Sequence, residues 1–192
     1  MRIQIHPMLL LGLFWLIYFF IHSALASIWV KEKVGIHLPG LFQHYRIIYN
    51  LIAILGVIPL LYLSLSQTIE FEIPFHQPVG LLLTFAGLFF MWKAFRAFDM
   101  PAFLGLKPEE SSVLVKTGMY AYVRHPLYFA TILLIAGLCL MFPSKGMLMV
   151  LGISYSYLLI GSKLEEVKLK KQFGKAYEDY AKEVKALIPY VY

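Results

Sequence analysis

The 192-residue chain is 60% hydrophobic, has a mean hydropathy of +0.71 and carries a net charge of +6. A soluble domain is usually about 45–50% apolar, so this composition predicts an integral membrane protein. Lysines and arginines that flank apolar spans explain the positive charge better than nucleic-acid binding does. The single cysteine, Cys139, excludes an intramolecular disulfide and a cysteine-based metal site, and we expect no metal.

Five apolar stretches have about the length that is needed to cross a bilayer. They predict an all-α membrane protein, with one membrane domain over residues 1–192. A polar connector at 99–125 precedes the fourth stretch, and a charged helical tail at 162–192 follows the fifth, with Gly174 as a break. The predicted spans are residues 8–30, 46–65, 79–98, 126–142 and 147–161.

The distribution of positive charge predicts how the spans are oriented. Of the 17 Lys and Arg residues, all but two fall in alternate non-membrane segments, which include the connector and the tail. The positive-inside rule therefore places the N-terminus outside the cell and the connector and tail in the cytoplasm. The turn Pro143–Gly146 is short, so the last two spans must form an antiparallel hairpin.

Residues 118–128, GMYAYVRHPLY, concentrate the polar side chains that can bind a ligand. Pro126 disfavours helix at His125 and suits the first turn of a helix that begins there. Arg124 and His125 then lie at a helix N-terminus, whose unpaired N–H groups and dipole favour an anion such as a carboxylate. The alternative is that both residues are interfacial anchors and that the tyrosines belong to an aromatic belt. In the first interpretation three side chains converge on one ligand: Tyr120, His125 and Tyr128.

Two adjacent carboxylates, Glu165 and Glu166, open the tail at the point where the fifth span returns beside the start of the fourth. Glu166 has Lys170 four residues further on, which favours an exposed ion pair. Glu165 faces about 100° away on a helix and is the better candidate for an inward ligand. Its carboxylate suits ribose hydroxyls or the ammonium group of a ligand.

Polar residues also occur near the end of the first span and the start of the second. A polar pair inside a span, here His22-Ser23, indicates a function by default, although at this depth it can be interfacial. For the polar start of the second span, hydrogen bonding between helices is the simpler interpretation. That start contains Tyr45, Arg46, Tyr49 and Asn50.

Several separated motifs resemble the isoprenylcysteine carboxyl methyltransferase and phospholipid methyltransferase superfamily of membrane enzymes. They are residues 113–128, Leu164-Glu165-Glu166, Phe173-Gly174, Tyr177, Tyr180, Val184 and Leu187-Ile188-Pro189, roughly the C-terminal half. The resemblance implies S-adenosylmethionine as methyl donor and S-adenosylhomocysteine as product, bound where the tail meets the fourth span. The cofactor-binding residues that it implies are Leu114, Val115, Tyr120, His125, Pro126, Leu127, Tyr128 and Glu165.

Departures from the superfamily pattern concern the methyl acceptor. Eukaryotic isoprenylcysteine enzymes place an arginine four residues before the cofactor glutamate, where this chain has Gly161. The Gly-x-Gly motif of phosphatidylethanolamine methyltransferases is absent, because Gly118 is followed two residues later by Tyr120. The N-terminal half is similar to short bacterial membrane methyltransferases of the methanethiol S-methyltransferase type. The acceptor can therefore be a carboxylate, a thiol or an amine.

We expect methyl transfer by direct displacement onto an apolar or lipid-like acceptor that enters from the bilayer. Arg124 would stabilise an anionic nucleophile or the cofactor carboxylate, and Glu166 would accept a proton. Alternatives are a small-thiol S-methyltransferase, a phospholipid N-methyltransferase and a non-catalytic lipid-binding subunit. A transporter is disfavoured because no span carries a charge near its middle. The expected partners are membrane lipids and an apolar or lipidated substrate, and the sequence does not predict an oligomeric state.

Overall fold

The computed structural model describes residues 7–72, 74–97 and 113–191, and most of them are helical. A short 3₁₀ turn, Gly118–Ala121, precedes the sixth α-helix. Within the described ranges the only strand-like feature is an isolated bridge, so the predicted all-α class is confirmed. The α-helices are α1 Pro7–Ala26, α2 Ile28–His37, α3 Pro39–Phe42, α4 Tyr45–Leu65, α5 His76–Phe95, α6 Pro126–Met141, α7 Lys145–Phe173 and α8 Lys175–Glu183.

Four of the described helices are long and apolar enough to cross a membrane: α1, α4, α5 and α7. The fourth predicted span, α6, is a shorter apolar helix of 16 residues. At 1.5 Å per residue it is about 24 Å long, less than the roughly 30 Å of a hydrocarbon core. The described residues therefore form a multi-pass membrane protein with four full-length spans and one shorter apolar helix, where the sequence predicted five spans.

Two predicted boundaries differ from the observed ones. The first span was predicted to run to residue 30, but α1 ends at Ala26 because Ser27 starts a new helix and its Oγ accepts a hydrogen bond from the Val30 amide (3.3 Å). The fifth predicted span and the start of the tail form one continuous helix, α7, of 29 residues. At about 43 Å, α7 is longer than the roughly 30 Å hydrocarbon core, so its charged last turns extend beyond that core. Gly174 ends it with a φ of +53°, as predicted. Residues 98–112, which include most of the predicted connector, lie outside the described residues.

Helices α5 and α6 pack backbone to backbone through glycines. A Cβ on Gly137 would lie 2.7 Å from the carbonyl oxygen of Gly80, and a Cβ on Gly87 would lie 2.7 Å from the Leu134 amide nitrogen. Small residues allow such close approach between membrane helices. The contacts pair the start of α5 with the end of α6, so the two helices are antiparallel. This packing fixes the position of α6, whose first residues form the candidate site.

Replacing Gly137 by alanine is expected to destabilise the protein by about 1–3 kcal/mol, because the added methyl group meets backbone atoms that cannot move aside. Gly152→Ala is the matched control, since nothing lies within 4 Å of a Cβ at Gly152 on α7. Thermal unfolding in detergent, followed by circular dichroism, measures both variants. Equal melting temperatures for the two would contradict the close approach of α5 and α6.

Helices α1, α4 and α7 meet in a separate apolar cluster. Leu11 and Trp15 from α1 pack with Leu60 from α4 and Val150 from α7, all nearly inaccessible to solvent. The indole nitrogen of Trp15 donates a hydrogen bond to Ser64 Oγ on α4 (3.0 Å). The first half of α1, the end of α4 and the start of α7 are thereby held together.

Candidate active site

The entrance to α6 has the local structure that the sequence predicts. Pro126 occupies the first helical turn, and His125 precedes it with a non-helical φ of −120°. We expected unpaired amides at this helix N-terminus, but the amides of Arg124 and His125 both have partners. They donate to the carbonyl oxygens of Lys185 (2.8 Å) and Ala186 (3.0 Å), next to a parallel bridge between Val123 and Lys185. The chain after α8 therefore returns across this entrance and satisfies the two amides.

Glu165 meets His125 directly in the structure. Its Oε2 lies 3.3 Å from His125 Nδ1, and the imidazole is only 4% exposed. The Tyr128 ring stacks on His125 with a centroid distance of 5.3 Å and an angle of 11° between the ring planes. The Tyr128 hydroxyl also donates a hydrogen bond to the Glu165 carboxylate. These three side chains, from α6 and α7, thus form one cluster in which the glutamate remains 45% exposed.

Arg124 and Glu166 form an ion pair beside this cluster. Arg124 Nε donates to Glu166 Oε1 (2.9 Å), and Nη2 donates to the same oxygen. Nη1 donates to the carbonyl oxygens of Ala181 (3.0 Å) and Val184. The two side chains are only 11% and 20% exposed. Glu166 is therefore directed inward and is bound to Arg124, whereas the sequence suggested an exposed pair with Lys170.

Phenols and one unsatisfied imidazole nitrogen surround the two carboxylates. His125 Nε2 is buried without a hydrogen bond among the described residues, and Glu166 Oε1 lies 3.5 Å from it. Burial, reinforced by the charge of Glu165, raises the pKa of Tyr120. Burial also raises the pKa of Tyr177 to about 12, an effect that Glu166 reinforces and Arg124 opposes. At neutral pH both phenols therefore stay protonated.

The remaining predicted cofactor residues flank this cluster. Leu114, half buried, and Val115, 38% exposed, lie in the extended segment before the 3₁₀ turn. Lys116 attaches that segment to α8 by a hydrogen bond from its Nζ to the carbonyl oxygen of Ala176 (3.2 Å). Pro126 is buried and Leu127 is half buried in the first turn of α6.

Sequence reasoning missed part of this neighbourhood. Tyr177 and Tyr180 were among the motifs that carry the resemblance but were not assigned to the site, and both are buried. The Tyr180 hydroxyl donates to the carbonyl oxygen of Tyr120 (2.6 Å) and so holds the 3₁₀ turn in place. The available signal was the helical spacing of the two tyrosines. No sequence pattern indicated the backbone bridge between Val123 and Lys185.

The residues present fit S-adenosylmethionine. The partly exposed Glu165 carboxylate can accept hydrogen bonds from ribose hydroxyls or from an ammonium group. The buried, unpartnered His125 Nε2 is the kind of polar atom that a ligand satisfies. The stacked rings of His125 and Tyr128 add an aromatic wall beside it.

Residues 75–176 match the phospholipid methyltransferase family, and this range is more than half of the chain. The chain belongs to this family. A curated relative, a methanethiol S-methyltransferase from Pseudomonas sp. (strain GM41(2012)), is 41% identical over 71 residues, which are 37% of this chain and 26% of that protein. The chain thus matches only about a quarter of the length of this relative. None of the solved structures matches the chain.

The chain is therefore a multi-pass membrane protein of the phospholipid methyltransferase family. The family match contains the cluster residues from Tyr120 to Glu166 and ends one residue before Tyr177. It ends before the residues that cross the α6 entrance, Lys185 and Ala186.

Proposed function

We propose that the protein transfers a methyl group from S-adenosylmethionine to an apolar acceptor that enters from the bilayer. The observation that carries this proposal is the convergence of Glu165, His125 and Tyr128, which come from two helices, at one partly open site. When bound, the cofactor supplies an electrophilic methyl group. The protein binds and orients the two reactants and keeps water away from them.

Glu165 is the main cofactor ligand in this proposal, through its hydrogen-bond acceptors. His125 Nε2 and the hydroxyl of Tyr120 supply further polar contacts, and Leu114, Val115, Pro126 and Leu127 supply apolar ones. The site faces the cytoplasm if the positive-inside rule holds for this chain. Direct methyl transfer from a sulfonium to the acceptor needs no covalent enzyme intermediate, so the site needs no nucleophilic side chain.

The roles proposed for Arg124 and Glu166 need the ion pair to open. Arg124 can stabilise an anionic nucleophile, and Glu166 can accept a proton, only when each exchanges its present partner for a reactant. The closed pair instead has a positioning function, because it ties α7 and the chain after α8 to the α6 entrance. The two roles differ in their effect on stability, as argued in the Discussion.

A small thiol is the acceptor that we favour. The relative with 41% identity is named a methanethiol S-methyltransferase. In addition, Gly161 stands where the eukaryotic isoprenylcysteine enzymes have the arginine that holds a substrate carboxylate. A Cβ on Gly161 would lie 3.7 Å from the Tyr128 hydroxyl, so this position is next to the site. A phospholipid amine is the second candidate, because the family is described by phospholipid methylation.

Purified protein in lipid nanodiscs, supplied with methyl-labelled S-adenosylmethionine, tests the acceptor. We expect label in a volatile thioether with methanethiol, and little label with phosphatidylethanolamine or N-acetyl-farnesylcysteine. Glu165→Gln protein is the control for enzyme-dependent transfer. Label in the lipid headgroup would favour the phospholipid N-methyltransferase instead. If the folded protein neither binds the cofactor nor transfers a methyl group, the result would favour a role as a non-catalytic lipid-binding subunit.

A further inference from the structure

A second polar cluster joins α1, α4 and α7, near the end of α1 and the start of α4. The Tyr49 hydroxyl of α4 lies 3.0 Å from His22 Nε2 of α1. The Tyr157 hydroxyl of α7 lies 3.0 Å from Ser23 Oγ, and its ring is 6.4 Å from that of His22. His22, Tyr49 and Tyr157 are each only partly exposed. A histidine within an apolar helix is a candidate functional residue, so this cluster requires an explanation.

This cluster adjoins the cofactor site through Tyr128. The Tyr128 hydroxyl bonds to Glu165 and also lies beside Gly161 of α7, 3.7 Å from the position that a Cβ on this glycine would take. Tyr157, Gly161 and Glu165 are spaced four residues apart on α7, so they share one face of that helix. Since Gly161 has no side chain, this position of α7 leaves the Tyr128 hydroxyl uncovered between the two ends of the face.

We propose that Tyr49 and His22 form the acceptor end of the active site and remove the proton from a neutral small thiol. This proposal rests on the proposed function above. The thiol S–H donates to the Tyr49 oxygen while the Tyr49 hydroxyl donates to His22 Nε2. Such a relay suits an uncharged acceptor, because a simple alkanethiol is protonated at neutral pH and only its thiolate is a strong nucleophile.

The relay balances atoms and charge. The thiol sulfur forms a bond to the transferred methyl carbon, and the bond from that carbon to the sulfonium breaks with its electron pair left on the cofactor sulfur. The thiol proton passes to Tyr49, whose own proton passes to His22. The positive charge that was on the sulfonium is then on the imidazolium, and the products are a thioether and S-adenosylhomocysteine.

The groups that face His22 are phenols from all three helices. Tyr18 of its own helix stacks on it at 6.0 Å, Tyr49 of α4 bonds to it, and Tyr157 of α7 meets it edge-on. A protonated His22 cannot accept the thiol proton. The rate with an alkanethiol is therefore expected to fall at acid pH in the wild-type protein and to keep rising with alkaline pH in a Tyr49→Phe variant, as free thiolate becomes available.

The test compares ethanethiol with a thiophenol that is already ionised at neutral pH. Tyr49→Phe and His22→Asn are each expected to lower kcat with ethanethiol about 100-fold, the range of a lost general base, and to change kcat with the thiophenol little. Tyr18→Phe is the matched control, because its hydroxyl bonds to the carbonyl oxygen of Ala53 (3.1 Å) and not to the relay. Calorimetric binding of ethanethiol to protein with S-adenosylhomocysteine gives a readout without turnover, where Tyr49→Phe is expected to bind about five-fold more weakly.

The outcomes are distinguishable. A selective loss with ethanethiol, at unchanged affinity for S-adenosylmethionine, supports the relay. An equal loss with both thiols overturns it, because it indicates a structural role for the cluster. Cofactor binding without binding or methylation of either thiol overturns the acceptor assignment and leaves the cofactor site intact. Failure of the folded wild-type protein to bind S-adenosylmethionine overturns the proposed function itself.

Discussion

Glu165→Gln is expected to weaken S-adenosylmethionine binding by about 10- to 100-fold. The substitution removes the charge from a carboxylate that hydrogen-bonds to the ligand, and hydrogen bonds to charged groups contribute roughly 1.5–3 kcal/mol. In the structure this carboxylate is held by His125 Nδ1 at 3.3 Å and by the Tyr128 hydroxyl. His125→Ala removes one of these supports together with the buried Nε2, so we expect a loss of similar size.

Equilibrium binding of radiolabelled S-adenosylmethionine to detergent-purified protein measures this effect. Glu178→Gln is the matched control, since it removes one carboxylate from an exposed position in the first turn of α8. Melting temperatures report whether each variant folds. Undiminished affinity in both Glu165→Gln and His125→Ala would eliminate the proposed cofactor site. Loss of affinity in Glu178→Gln as well would indicate a general charge effect.

Sequence patterns predicted the local structure of the site well. Pro126 determines where α6 begins, since proline suits the first turn of a helix and disfavours helix in the residue before it. The sequence assigned Glu166 to the exposed face of the helix, and adjacent helical residues point about 100° apart, so the Glu165 side chain was expected to point inward. The structure confirms the contact between Glu165 and His125, although Glu166 is directed inward too. Two adjacent helical residues can both line a site when the facing element wraps around them.

Long-range pairs were beyond prediction. Arg124 and Glu166 are 42 residues apart, and a single sequence offers Lys170 as an equally good partner for the glutamate. The carbonyl oxygens of Lys185 and Ala186 carry no sequence signal at all, because every residue has one. The same limit applies to His22 and Tyr49. Each was recognisable as a polar residue in an apolar span, but the bond between them depends on how α1 and α4 pack.

The ion pair leads to the second large expected effect. Arg124→Met is expected to lower the free energy of unfolding by about 3 kcal/mol, because it leaves Glu166 as a largely buried carboxylate without its partner and frees the carbonyl oxygens of Ala181 and Val184. Glu166→Gln should lower the free energy of unfolding less, because Arg124 still donates hydrogen bonds to these two carbonyl oxygens and can donate to the new amide oxygen. Unfolding in mixed micelles measures each free energy.

A double-mutant cycle separates positioning from catalysis. If the pair mainly ties α7 to the α6 entrance, Arg124→Met/Glu166→Leu should recover much of the lost stability, because replacing both charges removes the uncompensated one. Methyl transfer per folded molecule should then remain close to the wild-type level. If Glu166 accepts a proton during catalysis, this double variant should instead be stable and inactive while it still binds S-adenosylmethionine. The exposed pair between Lys182 and Asp179 (2.8 Å) is the control, and its removal should change stability by less than about 1 kcal/mol. A stability loss at Arg124 no larger than in that control would contradict the positioning role, because it would show that the pair does not hold the entrance closed.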